Sequence, residues 1–94
     1  MYLTALIKSK AGHAADLKPF LLDLVKASRA EEGCLQYDLH QSNEDENLFI
    51  FHEQWKDEEA LMVHYQQPHL QQLVKVGEEL IEGEIIIYKH EKLV

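Results

Sequence analysis

The chain has 94 residues, 46% of them hydrophobic and 28% charged, with a formal net charge of −8. That is the size of one domain, residues 1–94, with ordinary globular composition, and so short a chain buries little surface unless a second copy extends its core. The 9 basic residues form no cluster, which argues against a nucleic-acid partner, and no apolar run approaches the ~20 residues that span a bilayer.

The first expected strand, Tyr2–Lys10, is apolar on both alternating faces, with Leu3, Ala5 and Ile7 on one and Tyr2, Thr4 and Leu6 on the other. Helices of the same chain can cover one such face. The other needs cover from a partner, which predicts a homodimer. Ala11 and Gly12 break the strand, and a stripe at Leu17, Phe20, Leu21, Leu24 and Val25 predicts a helix. With Asp16 as its N-cap, Pro19 falls at the third helical position and removes no bond; with a start nearer His13, Pro19 should kink it. The helix is expected to end near Glu32, with Gly33 as a left-handed cap.

Cys34–Ser42 alternates, with Leu35, Tyr37 and Leu39 on one face, and a polar turn follows over Asn43–Asn47. Leu48–Trp55 is the next strand, with Phe49, Phe51, Glu53 and Trp55 on one face and Ile50, His52 and Gln54 on the other. A hairpin centred near Asp45 sets Tyr37 opposite Glu53 and Leu39 opposite Phe51. It also lets His40 and His52 face each other on the side away from the helices, as a surface or hydrated pair. Asp57 caps a short second helix to Tyr65, with Ala60, Leu61 and His64 on one stripe, and Pro68 opens a third helix to about Ile81. Gly83 ends the helical region, and Ile85–Lys92 forms the last strand. This order is the split βαβ, ferredoxin-like arrangement of an α+β protein: an antiparallel four-stranded sheet with helices on one face.

Chemistry-bearing residues concentrate between Glu53 and His69. Glu53 lies between Phe51 and Trp55 on an apolar face, where a carboxylate is costly unless it meets a partner such as Tyr37 or a backbone N–H, or lines a pocket. His64 is either an amphipathic residue at a helix–sheet boundary or a base; by residue type alone the former is the commoner. Trp55 is more often core than site. His64 and His69 are five apart, off the spacing that puts two ligands on one helix face, and no third ligand accompanies them, so no metal is expected. The acidic runs Glu31-Glu32 and Asp57-Glu58-Glu59 read as solvated faces. Cys34 is the only cysteine and follows a helix end, so neither an intrachain disulfide nor an activated thiolate is expected. With no secretory leader pattern at the start, this suggests a cytoplasmic protein. No phosphate loop or nucleophile elbow occurs.

Three blocks together carry a resemblance: Glu31-Glu32-Gly33-Cys34-Leu35-Gln36-Tyr37, then Glu53-Gln54-Trp55-Lys56-Asp57, then His64 with Pro68-His69-Leu70. In order and spacing they resemble the antibiotic biosynthesis monooxygenase family over nearly the whole chain, and within it small quinol monooxygenases and enzymes that process phosphorylated autoinducer-2. The resemblance implies a homodimeric α+β barrel, two sheets face to face, with one pocket per subunit between sheet and helices. It implies oxidation of a small quinol or polyphenol by O₂ with no cofactor. A base removes a phenolic proton, and the protein supplies orientation and a dry cavity. On that pattern His64 is the general base and Trp55 the wall on which an aromatic substrate stacks, with Tyr37, Phe51, Glu53 and His69 lining the pocket. Haem-degrading relatives carry an asparagine near Ala5 and a histidine at Tyr65, and both departures count against haem. Two alternatives remain from the residues: a non-catalytic small-ligand binder, and an isomerase of a phosphorylated autoinducer-like molecule. The latter lacks a phosphate clamp, Arg29 being the only arginine.

Overall fold

The computed structural model describes residues 1–94, ordered β1 (Tyr2–Lys8), α1 (Ala14–Arg29), β2 (Cys34–Gln41), β3 (Leu48–Trp55), α2 (Glu58–Tyr65), α3 (Pro68–Leu80) and β4 (Ile86–His90). The strands form one antiparallel sheet in the order β2-β3-β1-β4, the ferredoxin-like α+β arrangement expected from the element order. No helix is long and apolar enough to cross a membrane.

Strand periodicity sets the inner face. Leu3, Ala5 and Ile7 of β1 stand opposite Glu53, Phe51 and Phe49 of β3, and all six are buried. Leu17, Leu21, Leu24 and Val25 of α1 complete the core against them. Tyr37 pairs with Glu53 and Leu39 with Phe51, the register the hairpin predicted. On the outer face, Thr4 meets Tyr88 and Leu6 meets Ile86, and Ile86 and Tyr88 are about half exposed. The His40 and His52 rings lie 5.1 Å apart.

Four local expectations are corrected. Helix α1 begins at Ala14, and its capping position is His13, whose side chain bonds Asp16 Oδ2 rather than the helix backbone. It runs unbroken through Pro19, which sits at an interior position and removes one backbone bond there. The helix stops at Arg29, with Ala30 still right-handed, so Gly33 is no left-handed cap; only Gly12 and Gly83 have positive φ. Gly33 is required instead by close approach, because a Cβ there would lie 2.4 Å from the Ala60 Cβ. Strand β4 is also shorter than expected, ending at His90.

That approach of Gly33 to Ala60 seats α2 on the loop that follows α1. Asp57 Oδ1 accepts from the Ala60 N–H at 2.8 Å and fixes where α2 starts, while Glu58 and Glu59 sit favourably in its first turn. Pro68 takes the first turn of α3, and only Gln66 and Gln67 separate the two helices. The resulting corner positions both His64 and His69.

Candidate functional site

A small cavity of about 60 Å³ lies between the inner sheet face and the helices, reaching the surface beside Ile87, which is 44% exposed. Its wall is apolar (Leu3, Ala5, Leu70 and Leu73 among others) apart from Glu53, His64 and the Tyr37 and Tyr65 phenols. Of the residues singled out in the sequence, the fold brings Tyr37, Phe51, Glu53 and His64 to this cavity. Trp55 and His69 are not on its wall.

Trp55 is fully buried behind it. Its ring carries His64 at a centroid distance of 4.3 Å, with the Tyr37 ring edge-on at 6.1 Å. In place of the expected stacking wall for a substrate, the indole is the bed on which His64 lies. Its Nε1–H donates to Glu53 Oε1 at 2.9 Å, which answers how a carboxyl survives between Phe51 and Trp55. Burial pushes the Glu53 carboxyl up to about 7, against the lowering effect of the indole hydrogen bond and with a further rise from the Glu31 charge. Burial, then Glu53, also drives the Tyr37 phenol far above its usual range, so it stays protonated.

His64 has 2% side-chain exposure, and its Nδ1 lies 2.5 Å from Glu31 Oε2. The same carboxylate oxygen lies 2.8 Å from His69 Nε2. An ionised carboxylate only accepts, so both imidazoles present N–H to it, and Nε2 of a neutral His64 keeps its lone pair. Burial holds the His64 pKa below its ordinary value despite the opposing Glu31 bond. The ring is therefore neutral at pH 7.

Glu31 was missed in the sequence. Its side chain is 12% exposed, so the reading of Glu31-Glu32 as a solvated face is corrected for Glu31. The expectation that no third ligand-type residue accompanies the two histidines is corrected too: the donor atoms of Glu31, His64 and His69 all lie within 4.8 Å of one another. No local signal pointed to it. An ideal hairpin with Tyr37 opposite Glu53 sets Leu35 opposite Trp55. A bulge between Cys34 and Gln36 brings Cys34 there instead and leaves Leu35, expected on the face of Tyr37, 60% exposed. The thiol of Cys34 itself is pushed up to about 11, chiefly by burial, and is not activated.

A second, larger space of about 600 Å³ is an open groove between the end of α1 and α2, lined by Glu31, Glu32, Lys56, Asp57 and His69 among others. Its lining is mostly polar and charged, unlike that of the cavity. The Glu31–His64–His69 cluster stands between the two.

This fold and this pocket, between sheet and helices, define the class. The chain matches the antibiotic biosynthesis monooxygenase family over residues 1–76 and belongs to it. It is 38% identical over 89 residues to YcnE of Bacillus subtilis, named as a candidate monooxygenase, covering 95% of this chain and 94% of that one. The crystal structure of PA3566 from Pseudomonas aeruginosa superposes with a TM-score of 0.93 at 41% identity, over 99% of this chain and 93% of that one. A crystal structure titled antibiotic biosynthesis monooxygenase matches with a TM-score of 0.84 at 26% identity, covering 97% and 98% of the two chains. These relatives support a monooxygenase-type function.

Proposed function

We propose that the protein is a cofactor-independent monooxygenase that oxidises a small quinol or polyphenol with O₂ in the cavity between sheet and helices. The observation that carries this reading is a neutral imidazole and a carboxyl with a raised pKa facing one apolar-walled space. Glu31 lies outside the cavity and His64 lines it, so the imidazole edge bearing the Nε2 lone pair is available to a phenolic proton. His64 takes that proton, and the electron-rich ring carbon adds O₂ to form a hydroperoxide. Loss of water then leaves a hydroxylated quinone. One oxygen atom enters the product, the other leaves as water, and all the electrons come from the substrate. Glu53, part-protonated near pH 7, is placed to donate a proton to the departing oxygen. Trp55 supports both groups, holding Glu53 by its N–H and His64 by its face.

A cavity of about 60 Å³ is smaller than a single-ring substrate, so binding requires the rim to open. The wall residues that reach the surface are Tyr65 and Leu70 on either side of the α2–α3 corner and Ile85 and Ile87 at β4, so the opening falls among these side chains. The isomerase reading is disfavoured because the cavity wall has no lysine or arginine. Arg29 instead donates to the Tyr37 carbonyl and to Asp38. An oxygen electrode and a fluorescence titration separate enzyme from binder. The expected result is quinol-dependent O₂ uptake alongside quenching of Trp55; quenching with no uptake would mean that the pocket only binds.

We also propose that the outer sheet face packs on a second copy, making a homodimer, since Leu6, Ile50, Ile86 and Tyr88 otherwise leave apolar surface in water. Sedimentation equilibrium at micromolar concentration should return twice the chain mass. A monomer there would end the idea.

A further inference from the structure

His64 Nδ1, His69 Nε2 and Glu31 Oε2 come from α2, α3 and the bend after α1, and all lie within 4.8 Å of one another. Two imidazoles and a carboxylate are the ligand types that a divalent ion of the zinc kind takes. Glu31 and His69 belong to the groove lining, and His64 is buried behind them. The rest of that lining sets Glu32, Asp57 and Glu59 against Lys56 alone. A cleft so weighted raises the local concentration of cations, and its open side leaves room for the water that completes a three-ligand site.

Only side chains need to move. Oε2 lies 2.5 Å from His64 Nδ1 and 2.8 Å from His69 Nε2, the lengths of N–H bonds to a carboxylate. Ligands about 2.0–2.1 Å from a tetrahedral ion stand roughly 3.3 Å apart, so Oε2 must retreat by roughly 0.5–0.8 Å. Glu31 can do so, because it sits in a bend and opens on the groove. His69, 19% exposed in the first turn of α3, adjusts to meet it. His64 is the fixed point, held at 2% exposure on the Trp55 ring.

We propose that Glu31, His64 and His69 form a site for a zinc-like divalent ion entering from the groove, and that its occupancy switches off His64 as a base. The second half rests on the monooxygenase reading above. A ring nitrogen binds a metal through its lone pair, so His64 Nδ1 must give up its N–H. The neutral imidazole then carries its one proton on Nε2, towards the cavity, and has no lone pair left for a phenol. Glu53 and the Tyr37 and Tyr65 phenols offer that new N–H oxygen acceptors, the kind of partner a ligating histidine ordinarily has. The protons balance. His64 Nδ1 and His69 Nε2 each lose one to groove water. His64 Nε2 takes one from water at the cavity mouth beside Ile87, and His69 Nδ1 takes one from solvent. Nothing is oxidised or reduced.

The test begins without substrate. Chelator-treated protein is titrated with zinc chloride in competition with a chromophoric chelator, and one zinc per chain should bind. Loss of an outer partner alone costs ~10–100-fold in metal affinity, so loss of a ligand should cost about 10²-fold or more. Glu31→Gln and His69→Gln should both show this. ¹⁵N NMR of the His64 ring should find the proton on Nδ1 before zinc and on Nε2 after it. The exposed His40–His52 pair, with rings 5.1 Å apart, is the competing surface site. Zinc kept by Glu31→Gln and lost by His52→Gln would overturn the proposal. So would no binding at micromolar zinc, or a His64 tautomer that zinc leaves unchanged.

Turnover is read second, and zinc suits it because the ion is redox-inert. Saturating zinc should lower quinol-dependent O₂ uptake by about 10²-fold, as removal of the base does, and excess chelator should restore it. The same zinc should leave His69→Gln near its own zinc-free rate. Zinc-saturated protein that turns over undiminished would overturn the switch. Protein that binds zinc with the expected tautomer but oxidises no quinol would end the monooxygenase reading, and with it the switch, while the site stands.

Discussion

Replacing His64 is expected to lower turnover on an accepted quinol by about 10²–10⁴-fold, the usual effect of removing a positioned base. The imidazole is also structural, since it is buried and lies on Trp55 with a 4.3 Å centroid distance. His64→Ala therefore leaves a cavity in the core and should destabilise the fold by about 2–4 kcal/mol. His64→Gln separates the two effects: its amide can still donate to Glu31, fills most of the space, and has no basic nitrogen. Both variants should lose turnover, and the glutamine variant should keep near-native stability. The wild-type rate should fall on the acid side only below the ordinary imidazole value, because burial lowers the His64 pKa. Near-wild-type turnover by a folded His64→Gln protein would return the residue to a purely structural role.

Replacing Glu53 by glutamine should raise stability, and by an amount that depends on pH. In the unfolded chain this carboxyl ionises near its ordinary value of 4.5, but in the folded protein burial raises it to about 7. Between those values the native state binds the extra proton, so native stability is greatest below the lower one and declines as pH rises through the upper one. Above about pH 7 the ionised carboxylate costs on the order of 3 kcal/mol. Glutamine carries no charge at any pH and keeps an oxygen for the Trp55 N–H. Urea denaturation at pH 5 should therefore show little change, and at pH 8 a gain approaching that figure. His64 contributes the opposite slope in the wild type: its lowered pKa makes stability rise with pH up to its ordinary imidazole value. Comparing variant with wild type at each pH removes that contribution. A gain equal at the two pH values would mean that Glu53 is ionised throughout or not at all.

Much of this arrangement is legible in the chain, for definite reasons. Strand periodicity of two places Phe51, Glu53 and Trp55 on one face, and a short hairpin fixes Tyr37 against Glu53, so the Tyr37, Phe51 and Glu53 part of the cavity wall follows from local pattern. The cap at Asp57 and Pro68 in the first turn of α3 are likewise local, and they bracket His64. Glu31 was illegible because its meaning is non-local. It follows a helix, beside a second glutamate, and becomes a site residue only when α2 and α3 bring two histidines to it from more than thirty positions away. The same corner explains His69. Five residues from His64 is the wrong interval on one helix, but the break at Gln66-Gln67 turns α3 so that both rings converge on one oxygen. Gly33 misled for a related reason, since its small size answers to Ala60, across space, and not to the end of its own helix. The role of Trp55 shifted because sequence shows a large ring at a strand end but not what covers it.

The most direct test of the central claim is isotopic. Purified protein, confirmed free of metal and flavin, is given a small quinol under ¹⁸O₂, and the product is weighed by mass spectrometry. A cofactor-independent monooxygenase predicts a hydroxylated quinone with one ¹⁸O atom in each product molecule, formed at a rate proportional to protein and lost in His64→Gln. Unlabelled product, or label incorporated no faster than without protein, would contradict it.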